Sequence, residues 1–335
     1  MPAKSMNYYI VAFVLMLCII SVAIYRNNKL YAFLPSAEQE ATDIKWIAPS
    51  VGQIPDGENG SLIHYGLQLI ANTAAYLGPK GAVSILSNGM NCQNCHLDAG
   101  TRLNANCFAA VAATYPKYKE RSGRIESIEY RINDCMLRSL NGKPLDSTSR
   151  EMKAMVAYIN WVGKDVQKTN LPNGMGIPDL PLLHRAASAG NGKNIYASKC
   201  VSCHNADGQG LAQKDSSYIY PPLWGSHSYN VSAGMYRLTR LAGFIKQNMP
   251  YVAVQNKPQL SDEEAWDVAA YIIAQKRPVK MFAYDWKNIA NKPVDYPFGP
   301  FADSFSIAQH QYGPYGEIKK WRQKIQGDEL AKTSK

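Results

Sequence analysis

The chain has 335 residues, with 36 Lys plus Arg against 26 Asp plus Glu, a formal charge of +10, 46% hydrophobic and 19% charged residues. That balance excludes a disordered chain and a collagen-like fibre, and the length suits two domains of about 100–200 residues with an N-terminal appendage. The positive charge does not mark a nucleic-acid binder, because no long Lys/Arg tract and no nucleic-acid motif is present; a basic surface equally attracts a small anion or an acidic redox partner.

Residues 8–25 form an uncharged, mostly apolar run, about 27 Å as a helix and close to a bilayer core. It reads as a membrane anchor if retained, or as a signal peptide with Ser21-Val22-Ala23 as a small-x-small cleavage site. Charge does not orient it, since Lys4 precedes it and Arg26 and Lys29 follow. Cys18 lies inside the run behind Leu17, where a lipid-attachment site would want a small residue, so it reads as a membrane-facing thiol. The rest of the chain is expected to be exported to the periplasm.

Two motifs follow, Cys92-Gln93-Asn94-Cys95-His96 and Cys200-Val201-Ser202-Cys203-His204. This spacing suits covalent c-type haem: two thioethers hold the porphyrin edge and the adjacent His reaches the iron. Zinc would make the His after each second Cys a coincidence, and a thioredoxin-like site wants a βαβ context that is lacking. Helix-like stretches at 61–77 and 188–199 precede the motifs, and amphipathic helices follow, with stripes Met152, Met155, Val156, Ile159 and Trp266, Ala269, Ala270, Ile273. Ala157-Tyr158-Ile159 recurs as Ala270-Tyr271-Ile272. The expectation is an all-α chain of two tandem class I-like cytochrome c domains, each with one covalent haem, behind the anchor or signal segment. The boundaries expected are 1–30 for that segment, 31–165 and 182–276 for the domains, 166–181 for an Asn-, Gly- and Pro-rich linker, and 277–335 for the remainder. Within it, 277–317 reads as an irregular aromatic strap across the domains, and the stretch from Glu317 as a charged surface helix fraying into solvent.

Iron's sixth ligand separates a carrier from a catalyst. For the second haem the candidates are Met249, in Asn248-Met249-Pro250 where Pro halts a helix, and Met235, whose spacing with Leu238, Leu241 and Ile245 reads as core. For the first, Ile125, Ile128, Ile132, Cys135 and Ser139 fall on one helical face that Asn141-Gly142 ends. Either Met136 is the ligand and Cys135 a core thiol or a disulfide partner of Cys107, or Cys135 binds as thiolate. Arg131 and Arg138 lie about 40° and 60° from Cys135 on the wheel; two guanidiniums there would favour thiolate and bind an anion.

The runs Asn91 to Thr101, Arg131 to Cys135, Arg138 to Lys143, Gly234 to Arg237 and Ile245 to Pro250 resemble the dihaem thiosulfate dehydrogenases, over roughly residues 60–276. The resemblance implies His96/Cys135 ligation at a catalytic haem and His204/Met249 ligation at an electron-transfer haem. It implies Arg131 and Ser139 beside the substrate, with Arg121 a further candidate. Asn248 stands where some members carry a Lys that exchanges with Met on reduction, so no such exchange is expected. Cys107 matches no family role and reads as a buried thiol. The activity implied is 2 thiosulfate → tetrathionate + 2 electrons, or its reverse, with electrons passed to a cytochrome or oxidase. A dihaem carrier with no chemistry of its own is the alternative. A dihaem peroxidase explains neither Cys135 nor its Arg neighbours.

Overall fold

The computed structural model describes residues 46–255 and 258–333, together with Met16. The first lobe is built from α1 (Glu58–Ala71), α2 (Ile128–Arg138) and α3 (Arg150–Val162), the second from α4 (Ala189–Lys199), α5 (Leu238–Asn248) and α6 (Asp262–Ile273). In each lobe the first helix crosses the last at a glycine. A Cβ at Gly66 would stand 2.0 Å from the Ala154 carbonyl oxygen and 2.7 Å from Tyr158 Cβ; one at Gly192 would stand 1.9 Å from the Asp267 carbonyl oxygen and 2.9 Å from Tyr271 Cβ. The recurring tyrosines are therefore the residues over which the paired helices cross, which is why the repeat is visible in the sequence.

Local signals start these helices. Ser149 and Ser188 accept hydrogen bonds from Met152 N and Asn191 N, and Ser261 forms a capping box with Glu264. Asp262, Glu263 and Glu264 place negative charge on the first turn of α6, which the helix dipole favours. The buried stripe of α3 includes Met152, Met155, Tyr158 and Ile159. Met152 and Met155 join Leu69, Leu77 and Met136 in the first core; Leu238, Leu241, Trp266 and Ile273 centre the second.

The fold is helix-rich rather than all-α. Short hairpins pair β1 (Lys117–Lys119) with β2 (Arg124–Glu126) and β3 (Leu211–Ala212) with β4 (Tyr218–Tyr220). Ile125 is thus not on the α2 face; it sits in β2 and is 69% exposed. Met235 lies in a 3-10 turn ahead of α5, and its side chain is buried in the second core.

Residues 277–314 carry a 3-10 turn, Ile289–Asn291, and a short helix, Ile307–Tyr312, within otherwise irregular chain. Buried Lys292 donates to the carbonyls of Phe298 and Pro300 and is ringed by Tyr296, Phe298 and Phe301. Asp303 pairs with His310 and Arg322. The terminal helix α7 (Tyr315–Thr333) is anchored rather than free at its start, because Tyr315 and Ile318 are buried in the second core. The apolar run 8–25 and Cys18, apart from Met16, lie outside the described residues, as do Lys4, Arg26 and Lys29. Among the described residues no helix is long and apolar enough to cross a membrane.

Gly66→Ala and Gly192→Ala should each destabilise their lobe by about 1–3 kcal/mol through overpacking. A Cβ at Gly234 meets nothing within 4 Å, so Gly234→Ala should change stability by less than about 0.5 kcal/mol. Calorimetric unfolding of the haem-loaded proteins checks both.

Candidate active site

In the first lobe a 3-10 turn, Cys92–Asn94, is fixed by reciprocal bonds between Asn91 and Asn94. The backbone N–H of His96 donates to the Cys92 carbonyl at 3.0 Å, which folds the five-residue motif back on itself. His96 Nδ1 lies 2.7 Å from the Asn106 carbonyl oxygen. A carbonyl can only accept, so Nδ1 carries the proton and Nε2 keeps its lone pair for a metal. Burial lowers the His96 pKa to about 4, holding the ring neutral. Burial also pushes the Cys92 and Cys95 thiols up to about 11 and 12.

These residues line a cleft of about 1000 Å³, counting its open mouth. Ile128, Arg131, Ile132, Cys135 and Ser139 of the α2 segment line it too. Two thiols, an imidazole in the metal-binding tautomer and largely apolar walls fit a covalently held haem. Cys107 and Met136 also border the cleft; both are buried, and all described cysteines are free, so the Cys107–Cys135 disulfide does not form.

The arginines divide. Arg131 lines the cleft with its side chain 42% exposed, and its Nη1 donates to Asp134 Oδ2 at 2.6 Å. Its pKa is raised chiefly by the neighbouring charge of Cys135. Arg138 is only 2% exposed and is absent from the cleft wall. Its guanidinium is bonded to Asp134, forked onto Asp285 at 2.6 and 2.7 Å, and stacked 4.1 Å over Phe282. The helical wheel sets Arg138 beside Cys135, but its donors are taken up by Asp134 of the same helix and by Asp285 of the strap. Arg121 also stands off the cleft wall: Nη1 reaches the Ser232 carbonyl at 3.4 Å and Asp134 at 3.7 Å. Burial pushes the Asp134 carboxyl up, but Arg131, Arg138 and Arg121 together outweigh it and hold it below its ordinary value.

Asp134 lies inside the run Arg131 to Cys135 without a role of its own there, although its spacing of three and four from Arg131 and Arg138 is an ion-pair signal. Met175, on the stretch between the lobes, also borders the cleft; no motif announces it.

In the second lobe His204 Nδ1 lies 3.0 Å from the Pro221 carbonyl oxygen, again leaving Nε2 free. Cys200, Val201, Leu223, Tyr236 and Met249 pack against the second core. Met249 follows the end of α5, where its N–H caps the Ile245 carbonyl. Asn248 is 1% exposed and donates to the Asn104 carbonyl of the first lobe and to Phe244, both at 3.0 Å.

Residues 84–167 match the family model described as SoxA/TsdA, cytochrome c domain, and residues 189–276 match cytochrome c. The chain is 38% identical over 245 residues to a thiosulfate dehydrogenase of Allochromatium vinosum, covering 72% of this chain and 87% of that one. The chain belongs to the thiosulfate dehydrogenase family. It is an enzyme with two cytochrome c domains in tandem, and these carry two covalent c-type haems. A thiosulfate dehydrogenase of Psychrobacter arcticus is 38% identical over 251 residues, covering 75% of this chain and 71% of that one. Among solved structures, the "as isolated" thiosulfate dehydrogenase TsdBA of Marichromatium purpuratum superposes with a TM-score of 0.65 at 33% identity. That match covers 71% of this chain, which spans about half, 51%, of the longer protein.

Arg138→Gln should cost about 3–5 kcal/mol of stability, because it takes from Asp285 its guanidinium and from Asp134 the most buried of its three. Arg131→Gln should cost far less, since its guanidinium is partly solvated. Denaturant unfolding of the two haem-loaded variants separates them.

Proposed function

We propose that this enzyme oxidises two thiosulfate ions to tetrathionate, or runs the reverse reduction, at the first lobe, and that electrons leave through the second lobe to a cytochrome or oxidase. The observation that supports the reading is the placing of Cys135 beside Arg131 on the wall of the cleft that His96, Cys92 and Cys95 line. We assign covalent attachment to Cys92 and Cys95 in the first domain and to Cys200 and Cys203 in the second. His96 and Cys135 are the proposed iron ligands of the first, His204 and Met249 of the second. Each haem, when bound, supplies a one-electron sink, so the pair matches the two electrons released.

The bond-making is assigned to Cys135. Its thiolate joins the terminal sulfur of one thiosulfate, giving Cys–S–S–SO₃⁻ and two electrons. The terminal sulfur of a second thiosulfate attacks the SO₃-bearing sulfur of that adduct. The bond to Cys135 breaks, tetrathionate departs and the thiolate is restored, so charge and atoms balance. A thiolate is a competent leaving group in exchange at sulfur. Arg131 offsets the repulsion between two dianions, and Ser139 offers a hydroxyl at the same wall. Arg138 and Arg121 act at one remove, through Asp134. Export to the periplasm, with residues 8–25 as a tether if retained, belongs to the same proposal.

Met136 also borders the cleft, and this favours the second reading, a carrier with His/Met ligation in both domains. Cys135→Met separates the two. It should abolish tetrathionate formation while mass spectrometry still shows two haems, because a thioether cannot carry the sulfur adduct. Wild-type turnover in that variant would leave only the carrier reading. Arg131→Ala should keep both haems and lower kcat/KM roughly ten- to hundredfold, the loss of one charge-assisted hydrogen bond.

Met249→Gly should lower the potential of the second haem, since thioether ligation favours the ferrous state. Turnover with a strong artificial acceptor should survive. Met235→Leu should leave the potential unchanged. Potentiometric titration of both variants reads the difference, and the opposite pattern would transfer the ligand role to Met235.

A further inference from the structure

The second core encloses a guanidinium with no carboxylate to match it. Arg277 follows α6 and is 8% exposed. One of its terminal nitrogens donates to the Ile272 carbonyl at 2.9 Å, while Nε and Nη1 are buried with no hydrogen-bond partner. Among the described residues no Asp or Glu forms an ion pair with it. Its guanidinium lies 4.3 Å over the Tyr229 ring and 4.7 Å over the Tyr236 ring. The Tyr229 hydroxyl, on a side chain 5% exposed, is also buried and unpartnered.

A cation withdrawn from water is costly unless an anion joins it, and two aromatic faces repay only part of that cost. The free Nε–H and Nη1–H lie on different edges of the guanidinium, so either can donate singly to a carboxylate oxygen, with the Tyr229 hydroxyl as a second donor. The sandwich of rings fixes the plane in which those donors point. Tyr229 belongs to the core against which Cys95 of the first motif and Cys200, Val201 and Met249 of the second lobe pack, and Tyr236 packs on it alongside them. Ile272, the remaining partner, is in α6 of the same lobe.

We propose that Arg277, assisted by the Tyr229 hydroxyl, anchors a propionate carboxylate of the haem in the second domain. The inference rests on the presence of that haem and, for telling the two haems apart, on the Met249 ligation proposed above; it does not depend on the sulfur chemistry assigned to the first. A carboxylate near iron stabilises the ferric state. A guanidinium bound to that carboxylate cancels the effect and holds the potential up. Arg277 is therefore a residue that sets the potential of the second haem without ligating its iron.

The test uses the full dihaem protein with Arg277→Gln, Arg277→Lys and Tyr229→Phe. Midpoints of both haems are measured by spectroelectrochemistry, and the second haem is assigned as the one whose midpoint moves in Met249→Gly. Arg277→Gln should lower the midpoint of the second haem and leave that of the first in place. Arg277→Lys, which keeps the charge, should stay near wild type; a merely structural role would move both variants alike. Tyr229→Phe should give a smaller fall at the same haem, and it decides the matter if Arg277→Gln fails to accumulate. Unchanged midpoints in Arg277→Gln, equal shifts in the Gln and Lys variants, a shift confined to the first haem, or no shift in folded Tyr229→Phe would each overturn the proposal.

Discussion

One carboxylate, Asp134, lies among the guanidiniums of Arg121, Arg131 and Arg138, and the arrangement of the first cleft depends on it. Buried guanidiniums without counter-ions would be prohibitively costly, yet a site for dianions needs net positive charge at its mouth. Asp134 and Asp285 resolve the conflict by depth. They neutralise the innermost cation, Arg138, and leave three guanidiniums facing two carboxylates. The surplus positive charge resides on Arg131, the most exposed of the three and the one that lines the cleft with Cys135. Because all of these contacts converge on α2, the same network that balances charge also fixes the helix carrying Cys135.

The second lobe and the strap complete that helix. Asn230, fully buried, donates to the Leu137 carbonyl, and its own N–H reaches the Arg138 carbonyl at 3.1 Å. The last two carbonyls of α2, which lack partners within the helix, are therefore satisfied by the other lobe. Lys280 in turn donates to the Gly142 carbonyl at 2.8 Å. On the other side Asn248, next to Met249, grips the Asn104 carbonyl two residues from Asn106, whose carbonyl orients His96. His96, Cys135 and Met249, three of the four proposed iron ligands, thus lie close in the chain to a hydrogen bond between the lobes, which gives a physical route for relating the two centres.

Features with short sequence range were legible. The paired motifs, the stripes of α3 and α6 and the recurring Ala-Tyr-Ile are patterns contained within a few residues or a few helical turns. What escaped was long-range partnership. The wheel located Arg138 beside Cys135, but its burial depends on Asp285, 147 residues away. Ile125 fits the α2 spacing, yet the β1–β2 hairpin takes it, and α2 starts only after the Ser127 cap. The tail looked solvated because its charged positions dominate, whereas two apolar positions, Tyr315 and Ile318, dock its first turn. Met175 reaches the cleft from a stretch with no periodicity at all.

The account turns on the sulfur of Cys135 being bound to the first iron as thiolate. Electron paramagnetic resonance of the oxidised, haem-loaded protein addresses that bond directly, because ligand strength sets the anisotropy of a low-spin ferric haem. Two distinct low-spin species are expected, one with the narrow anisotropy of His/thiolate ligation and one of the His/Met type. A spectrum containing His/Met species alone, with no thiolate-ligated component, would contradict the central claim.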